Sequence, residues 1–138
     1  MEQEVVAASA EAVEEQGVPV LRVSGEVDMG TTDAVRQEML VWLDTTRSTS
    51  VIDLSGVTFL ASSGLALLVE AAQHSQRRGT AFILVAGHRA ALRPLRATSM
   101  DKLFTIHPDL DQAVAAARNA TATAVPSGSS PEVTGATD

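Results

Sequence analysis

The 138-residue chain has no cysteine, few aromatic residues and no excess of basic side chains. The absence of cysteine excludes disulfides, zinc–thiolate centres and thiol nucleophiles. Aromatic residues make up 3% of the sequence and the formal net charge is -7. The chain therefore lacks the stacking platforms and basic stripe with which proteins bind nucleic acids. Its three histidines, His74, His88 and His107, form no ligand-like pair, so no metal site is expected.

The sequence also lacks a long hydrophobic run. Its most apolar helical stretch, residues 65–72, is interrupted by Glu70 and is too short to cross a bilayer. The chain begins Met-Glu-Gln-Glu, which is acidic where a secretory signal is basic. We therefore expect a cytoplasmic protein that makes no membrane contact.

What the sequence does contain is enough aliphatic residues, within a 45% hydrophobic composition, to bury one core. The hydrophobic patterning predicts strands that alternate with helices. The predicted strands are 5–9, 18–24, 51–54, 81–86 and 103–106, the first two forming a hairpin across the turn at 14–17. The predicted helices run from Thr31 or Thr32 to Asp44, from Ser62 to about Arg77, from about Arg89 to Thr98, and from Asp109 or Asp111 to Arg118. This order predicts an α/β sandwich with a mixed sheet of about four to five strands and about four helices.

The composition changes at residue 119. Residues 119–138 consist almost entirely of Ala, Thr, Ser, Gly and Pro, with two isolated valines and no aromatic residue. Such a segment cannot bury enough apolar surface to offset the entropy of ordering it. We therefore predict one folded domain over residues 1–118, followed by a disordered tail over 119–138.

The most informative segment is 51–65, in which an apolar strand leads through a short polar turn to Ser62, Ser63 and Gly64 at the start of a helix. Free backbone N–H groups and the positive end of the helix dipole meet at such a point, which suits a phosphate or a contact surface that a phosphate disrupts. The residues alone also permit a plainer interpretation, in which Ser62 or Ser63 only caps the helix. Loops 25–28 and 58–64 both follow strands, so we expect them to lie side by side.

An autonomous enzyme is not predicted. A serine hydrolase needs Gly-x-Ser-x-Gly after a strand, and Ser62 stands in Leu-Ala-Ser-Ser-Gly. Neither a Gly-x-x-x-x-Gly-Lys loop nor a Gly-x-Gly-x-x-Gly sequence is present for nucleotide phosphates. We therefore expect no catalytic residues and no cofactor.

Four motifs in order resemble one family. They are Val-Ser-Gly-Glu-Val-Asp at 23–28, Val-Ile-Asp-Leu-Ser-Gly-Val-Thr-Phe-Leu at 51–60, Ser-Ser-Gly-Leu at 62–65 and Met-Asp-Lys-Leu-Phe at 100–104. Together they resemble the bacterial anti-sigma factor antagonists, which are single-domain members of the STAS superfamily. The resemblance covers residues 5–118 and implies the STAS-like α/β fold.

The resemblance also implies a function. Such an antagonist binds an anti-sigma factor that is also a serine kinase, and so releases a sigma factor. The kinase phosphorylates the first serine of the motif, which here is Ser62, and a serine phosphatase reverses the modification. Asp28 matches an acidic position beside the phosphorylated serine, although a local turn carboxylate is the plainer role for it. The partner-binding residues that follow are Glu26, Asp28, Thr58, Ala61, Ser62, Ser63 and Gly64.

One position departs from the family pattern. The motif usually begins with Asp, whereas this chain has Ala61. The change is either tolerated, or it alters phosphorylation and leaves a constitutive binder. Two other STAS roles stay open at this point: a scaffold subunit of a signalling assembly, and the small cytoplasmic STAS subunit of a lipid transporter.

Overall fold

A computed structural model describes residues 8–124, with side chains over 8–120. In chain order the elements are β1 (Ala8–Glu15), β2 (Val18–Val27), α1 (Thr32–Thr45), β3 (Ser50–Leu60), α2 (Ser62–Arg77), β4 (Phe82–Val85), α3 (Arg89–Ala97), β5 (Ile106–His107) and α4 (Leu110–Ala124). A 3₁₀ turn, Met100–Lys102, precedes β5. The predicted alternation of strands and helices in an α/β fold is confirmed.

The five strands form one mixed sheet in the order β1-β2-β3-β4-β5. β1 pairs antiparallel with β2, and the other neighbours pair in parallel. The predicted N-terminal hairpin is therefore confirmed, but its turn is tighter than expected. Gln16 and Gly17 have φ values of 53° and 83°, as a two-residue turn with positive φ at both positions requires. Pairing therefore continues to Glu15, and the predicted strand 5–9 is displaced; its residues 5–7 lie outside the described range.

β2 and β3 extend well beyond their predicted ends. β3 continues to Leu60, so the polar turn expected after Leu54 is its second half. Opposite β2 the register slips twice along β3, once before Gly56 and once at Thr58, as at β-bulges. The bulges break the alternation that identifies a strand in a sequence, which explains why this half was predicted as a turn. β2 likewise reaches Val27 and includes Glu26, which was predicted to lie in a loop.

Helices cover both faces of the sheet. α1, α2 and α3 pack on one face, where their apolar residues join Leu21, Ile52 and Leu84 in the main hydrophobic core. α4 packs on the other face against Val20, Val51 and Val85 in a separate, smaller cluster. Neighbouring strand residues therefore enter opposite clusters. For the same reason β4, which is covered on both faces, is apolar at every position. On α1 the residues that face this sheet repeat at helical spacing, and Val35, Met39, Trp42 and Leu43 are all buried.

The third helix and the last strand differ in detail from their predictions. α3 ends at Ala97, one residue before its predicted end, and Pro94 lies in its second turn. The strand expected at 103–106 reduces to the two residues of β5, and Leu103 is 67% exposed. Ser99, with φ of 60°, leads the chain into the 3₁₀ turn that replaces most of that strand.

The hydrogen bonds at the start of α4 identify which of the two candidate aspartates is its N-cap. The Asp109 Oδ1 accepts a hydrogen bond from the Gln112 N–H at 2.9 Å, and the Gln112 amide donates back to the other carboxylate oxygen at 3.0 Å. Asp109 is therefore the N-cap. The helix continues past Arg118 to Ala124, so the predicted end at Arg118 is too early. The remaining predicted tail, 125–138, lies outside the described residues. Within 8–124, no helix combines the length and apolar character needed to cross a membrane.

Candidate functional site

The start of α2 forms the centre of the site. Its N-cap is Ala61, with φ of −82° and ψ of 174°, and Ser62 is the first helical residue. The capping roles predicted for Ser62 and Ser63 are therefore wrong, because the helix begins one position earlier than they require. An alanine has no side-chain oxygen to accept the N–H groups of the first turn. The positive end of the α2 dipole is thus left without a side-chain cap.

The two serines have different environments. The Ser62 side chain is exposed, whereas Ser63 is half-buried with its Oγ 2.8 Å from the Thr32 Oγ1. The Thr32 hydroxyl donates its one proton to the backbone oxygen of Asp28, so it accepts from Ser63. Ser63 is therefore held by the neighbouring loop, and Ser62 is the serine whose hydroxyl an enzyme could reach.

The loop after β2 lies directly beside the start of α2. The Ala61 N–H donates to the Val27 oxygen at 2.9 Å, and the Ser63–Thr32 bond joins the two helix starts. This neighbourhood follows from the parallel pairing of β2 with β3, which brings their carboxyl ends to one edge of the sheet. The predicted side-by-side arrangement of the two loops is confirmed.

Asp28 is held in a local turn. Its Oδ1 accepts from the Gly30 N–H at 2.9 Å and lies 3.3 Å from the Thr31 hydroxyl oxygen. The Thr31 hydroxyl also lies 2.7 Å from the Glu26 backbone oxygen, to which it donates. This is the turn-carboxylate role that the residues alone favoured. The same bonds fix a carboxylate in the loop that borders the start of α2.

Gly64 is buried and lets α2 pack closely on the sheet. A Cβ atom at this position would lie 2.7 Å from Leu60 Cδ1 and 2.8 Å from Val27 Cγ1. The absence of a side chain lets the first turn of α2 rest directly on the ends of β2 and β3. Gly64 therefore fixes the distance between the serines and the sheet, and its predicted role in partner binding stays a prediction.

Exposed apolar residues lie in the two segments that meet at the start of α2, and the sequence did not single them out. Phe59 is 52% exposed and Met29 is 84% exposed. Phe59 pairs across the strands with Glu26, and Thr58, also exposed, forms the bulge before it. We call Glu26, Met29, Thr58, Phe59 and Ser62 the docking surface. Large apolar side chains exposed together are typical of a surface that another protein covers.

An ion pair ties α1 to α2 beside this surface. The Arg36 guanidinium donates to both Glu70 carboxylate oxygens, with Nε at 2.9 and 3.0 Å and Nη2 at 2.6 Å. The hydrogen bond from Arg36 lowers the pKa of Glu70 below its usual value, and the carboxylate raises the pKa of Arg36. The pair is exposed, so it orients the two helices and adds little stability.

The histidines are less exposed than the sequence suggested. His88 Nε2 donates to the Val57 backbone oxygen at 2.6 Å, and His74 Nε2 lies 2.7 Å from Asp44 Oδ1. Each therefore has a structural partner. Over residues 8–124 no group of three or more His, Asp or Glu side chains could hold a metal ion.

Comparison with known proteins agrees with this architecture. Residues 9–113 match the STAS domain family. The anti-sigma-F factor antagonist RsfB of Mycobacterium tuberculosis is 32% identical over 102 residues, which cover 74% of this chain and 83% of RsfB. The crystal structure of an anti-sigma factor antagonist from Mycobacterium paratuberculosis is 37% identical, with a TM-score of 0.74, and the match covers 80% of this chain and 94% of that one.

A more distant structure shares the fold alone. The anti-sigma factor antagonist SpoIIAA in its unphosphorylated form is 14% identical, with a TM-score of 0.65 over 80% of this chain and 97% of its own. The family match and the architecture thus define a STAS domain. The chain belongs to the anti-sigma factor antagonist family within the STAS domain proteins, a family that is typically non-enzymatic.

Proposed function

We propose that the chain binds an anti-sigma factor that is also a serine kinase, that this binding releases a sigma factor, and that phosphorylation of Ser62 ends the complex. A serine phosphatase then restores the binding form. The observation that carries the proposal is the contrast between the two serines: Ser62 is exposed on the docking surface, while Ser63 is bonded to Thr32. SpoIIAA, described in an unphosphorylated form, supports a phosphorylation switch on this fold.

The folded domain should tolerate a phosphate on Ser62. The phosphate adds about −1.5 to −2 charges and three acceptor oxygens. At the first position of α2 it meets the positive end of the helix dipole, which favours an anion by roughly 0.3–1 kcal/mol. Since Ala61 offers no acceptor, the phosphate has no side-chain cap to displace. The modification therefore leaves the fold intact.

The same phosphate should weaken the complex. It introduces a strongly hydrated dianion beside Phe59, on a surface that a partner must dehydrate to bind. The carboxylates of Glu26 and Asp28 border the same edge of the sheet and add repulsion of like charge. Each 1.4 kcal/mol lost is about a tenfold loss of affinity, so a few kcal/mol convert a stable complex into a transient one.

The Ala61 departure does not remove the modified hydroxyl. Ser62 remains exposed at the first position of α2 without the carboxylate that the family usually carries. We therefore include Ser62 phosphorylation in the proposal despite this difference. Loss of phosphorylation with retained binding would identify the chain as a constitutive antagonist.

A mimic of phosphoserine distinguishes the effect of the added charge on the fold from its effect on partner binding. Ser62→Glu should weaken binding to the anti-sigma factor of the same organism, measured by titration calorimetry, and should leave the Tm nearly unchanged. Gln73→Glu adds the same charge at an exposed position further along α2 and serves as the matched control. Equal affinities for the wild type and Ser62→Glu would contradict the proposal.

A kinase assay identifies the residue that is phosphorylated. Incubation with ATP and the anti-sigma factor should add one phosphate to the wild type and none to Ser62→Ala, as measured by intact mass. Ser63→Ala should still accept the phosphate, because the proposal assigns it to Ser62 alone. A phosphopeptide that maps to another residue would move the site.

A further inference from the structure

A second feature lies at the same end of the sheet. A groove of about 640 Å³ opens beside α3, after the carboxyl end of β4. Its lining includes His88, Arg89, Leu92, Arg93 and Arg96. The arginines follow one another at intervals of four and three residues, so all three lie on one side of the helix. They concentrate positive charge on a chain whose formal net charge is -7.

These arginines do not stabilise the chain that carries them. Within residues 8–124, neither Arg89, Arg93 nor Arg96 forms an ion pair or a hydrogen bond through its side chain. Like charges one helical turn apart destabilise a helix, and a cation in the first turn opposes the helix dipole. The first turn of α3 contains no acidic residue that would offset either effect.

The nearest acidic candidate does not neutralise the groove. Asp101 lines an adjoining cavity together with Arg96, but the two side chains form no ion pair within 4.0 Å over the described residues. The groove therefore presents its positive charge to solvent. Leu92 lies among the arginines and adds an apolar contact to the lining.

The groove is linked to the strand that carries part of the docking surface. The His88 side chain donates to the Val57 oxygen at 2.6 Å, one residue before Thr58. β3 and β4 are parallel neighbours, so the starts of α2 and α3 lie at the same edge of the sheet. A protein that covers Phe59 and Ser62 can therefore extend over the groove.

We infer that the arginine groove, defined by Arg89, Arg93 and Arg96, is a second docking site that receives an acidic segment of the partner protein. The inference rests on the proposed function, because that partner is the anti-sigma factor. Carboxylates spaced about one helical turn apart match the arginine spacing, and guanidinium groups bind carboxylates in paired hydrogen bonds. No Phe, Tyr or Trp side chain lines the groove for base stacking, and the net charge of -7 repels polyanions, so a nucleic acid fits less well.

A charge reversal tests the inference. Arg89→Glu combined with Arg93→Glu should weaken binding to the anti-sigma factor about tenfold at roughly 50 mM salt, mainly through slower association, as charges at an interface steer encounter. The difference should shrink at about 500 mM salt, where charges are screened. Both quantities come from surface plasmon resonance, with folding checked by circular dichroism. Unchanged affinity and an unchanged salt dependence would overturn the inference.

A matched control removes the effect of net charge. Arg47→Glu combined with Arg77→Glu changes the net charge by the same amount at exposed positions away from the groove. This control should bind within about twofold of the wild type, since long-range charge alone has a modest effect at physiological salt. An equal loss in the control would mean that total charge, and not the groove, governs association.

The remaining measurements distinguish failure of this inference from failure of the proposed function, and they test other ligands for the groove. If Ser62→Glu weakens binding and the groove variant does not, the inference fails while the proposed function stands. If the wild type does not bind the anti-sigma factor, both fail. Labelled ATP and a labelled single-stranded DNA oligonucleotide are tested by anisotropy. Binding of either to the wild type, lost in the groove variant while the anti-sigma factor still binds normally, would assign the groove to a nucleotide or nucleic acid and overturn the inference.

Discussion

Ala61→Asp should stabilise the domain. Ala61 already has the extended backbone of an N-cap, and its carbonyl accepts the first helical hydrogen bond, from Leu65 N–H at 3.1 Å. Only the side-chain acceptor is missing. A carboxylate there can accept from the N–H of Ser63 or Gly64, the second and third residues of α2.

The magnitude follows from two additive effects. Replacement of alanine by a good N-cap residue is worth about 0.5–2 kcal/mol, typically near 1. A negative charge at the helix start adds roughly 0.3–1 kcal/mol. We therefore expect a gain of about 1–2 kcal/mol, which for a domain of this size raises the Tm by roughly 3–6 °C. Ala61 is only half-buried, so the larger side chain has room.

Equilibrium urea unfolding measures the gain. The midpoint should rise by about 0.5–1 M with an unchanged m-value. Ala61→Asn is the matched control, because asparagine caps without a charge and isolates the hydrogen bond from the dipole effect. A helix N-terminus lowers the pKa of the introduced carboxyl, so its advantage over asparagine is present above about pH 4 and is lost as the pH falls below that. A midpoint for Ala61→Asp at or below that of the wild type would refute the reasoning.

Three other changes test the site's scaffold. Gly64→Val should destabilise the domain by about 1–3 kcal/mol in urea unfolding, because its Cβ alone would lie 2.7 Å from Leu60. Thr32→Val should cost about 0.5–1.5 kcal/mol in the same measurement, since it removes the acceptor of Ser63. Glu70→Gln should lower the urea midpoint slightly at pH 7; because the pKa of Glu70 is lowered from 4.5 in the folded state, the difference from wild type should shrink as the pH falls below 4.5 and disappear once the pH is below the lowered pKa.

For each of these three variants, one result would contradict the contact on which its prediction rests. Gly30→Ala is the control for Gly64, because a Cβ at Gly30 would meet only Asp28 Oδ1, at 3.5 Å. Equal stability of Gly64→Val and wild type would mean that α2 does not rest on the strand ends as described. A Thr32→Val variant as stable as wild type would remove the link between the helix starts. A Glu70→Gln difference that persists at pH 3 would show that the ion pair is not its cause.

The regular parts of the fold could be predicted because their patterns are local. β4 is buried on both faces, so a continuous apolar run identifies it. The α1 stripe from Val35 to Leu43 repeats at helical spacing. The buried face of α2 is less regular: Leu65, Leu67, Leu68 and Ala71 are buried, whereas Val69 and Ala72 are only half-buried. Position on a helix face depends on what packs there, which a sequence does not contain.

The missed features depend on contacts distant in the chain. Phe59 is exposed because a bulge at Thr58 turns it away from the core, and that bulge exists only in the pairing with β2. The different states of Ser62 and Ser63 depend on Thr32, which lies far away in sequence. The cap was misassigned because serine is a much better N-cap than alanine, so intrinsic preference favoured the wrong residue. The adjacency of loops 25–28 and 58–64, by contrast, could be predicted from one general rule, that the carboxyl ends of neighbouring parallel strands lie at the same edge of a sheet.

Over the part whose side chains are described, 110–120, α4 packs on its face of the sheet mainly through small residues. It contributes Ala113, Val114 and Ala117 to the smaller cluster, with Leu110 and Ala116 partly buried against it. None of these residues contacts the larger cluster in which α1, α2 and α3 share their burial. Transient detachment of the terminal helix should therefore require less free energy than opening of the other face. Amide hydrogens of α4 would then exchange with deuterium earlier than those of α2, while the surface that carries Ser62 keeps its shape.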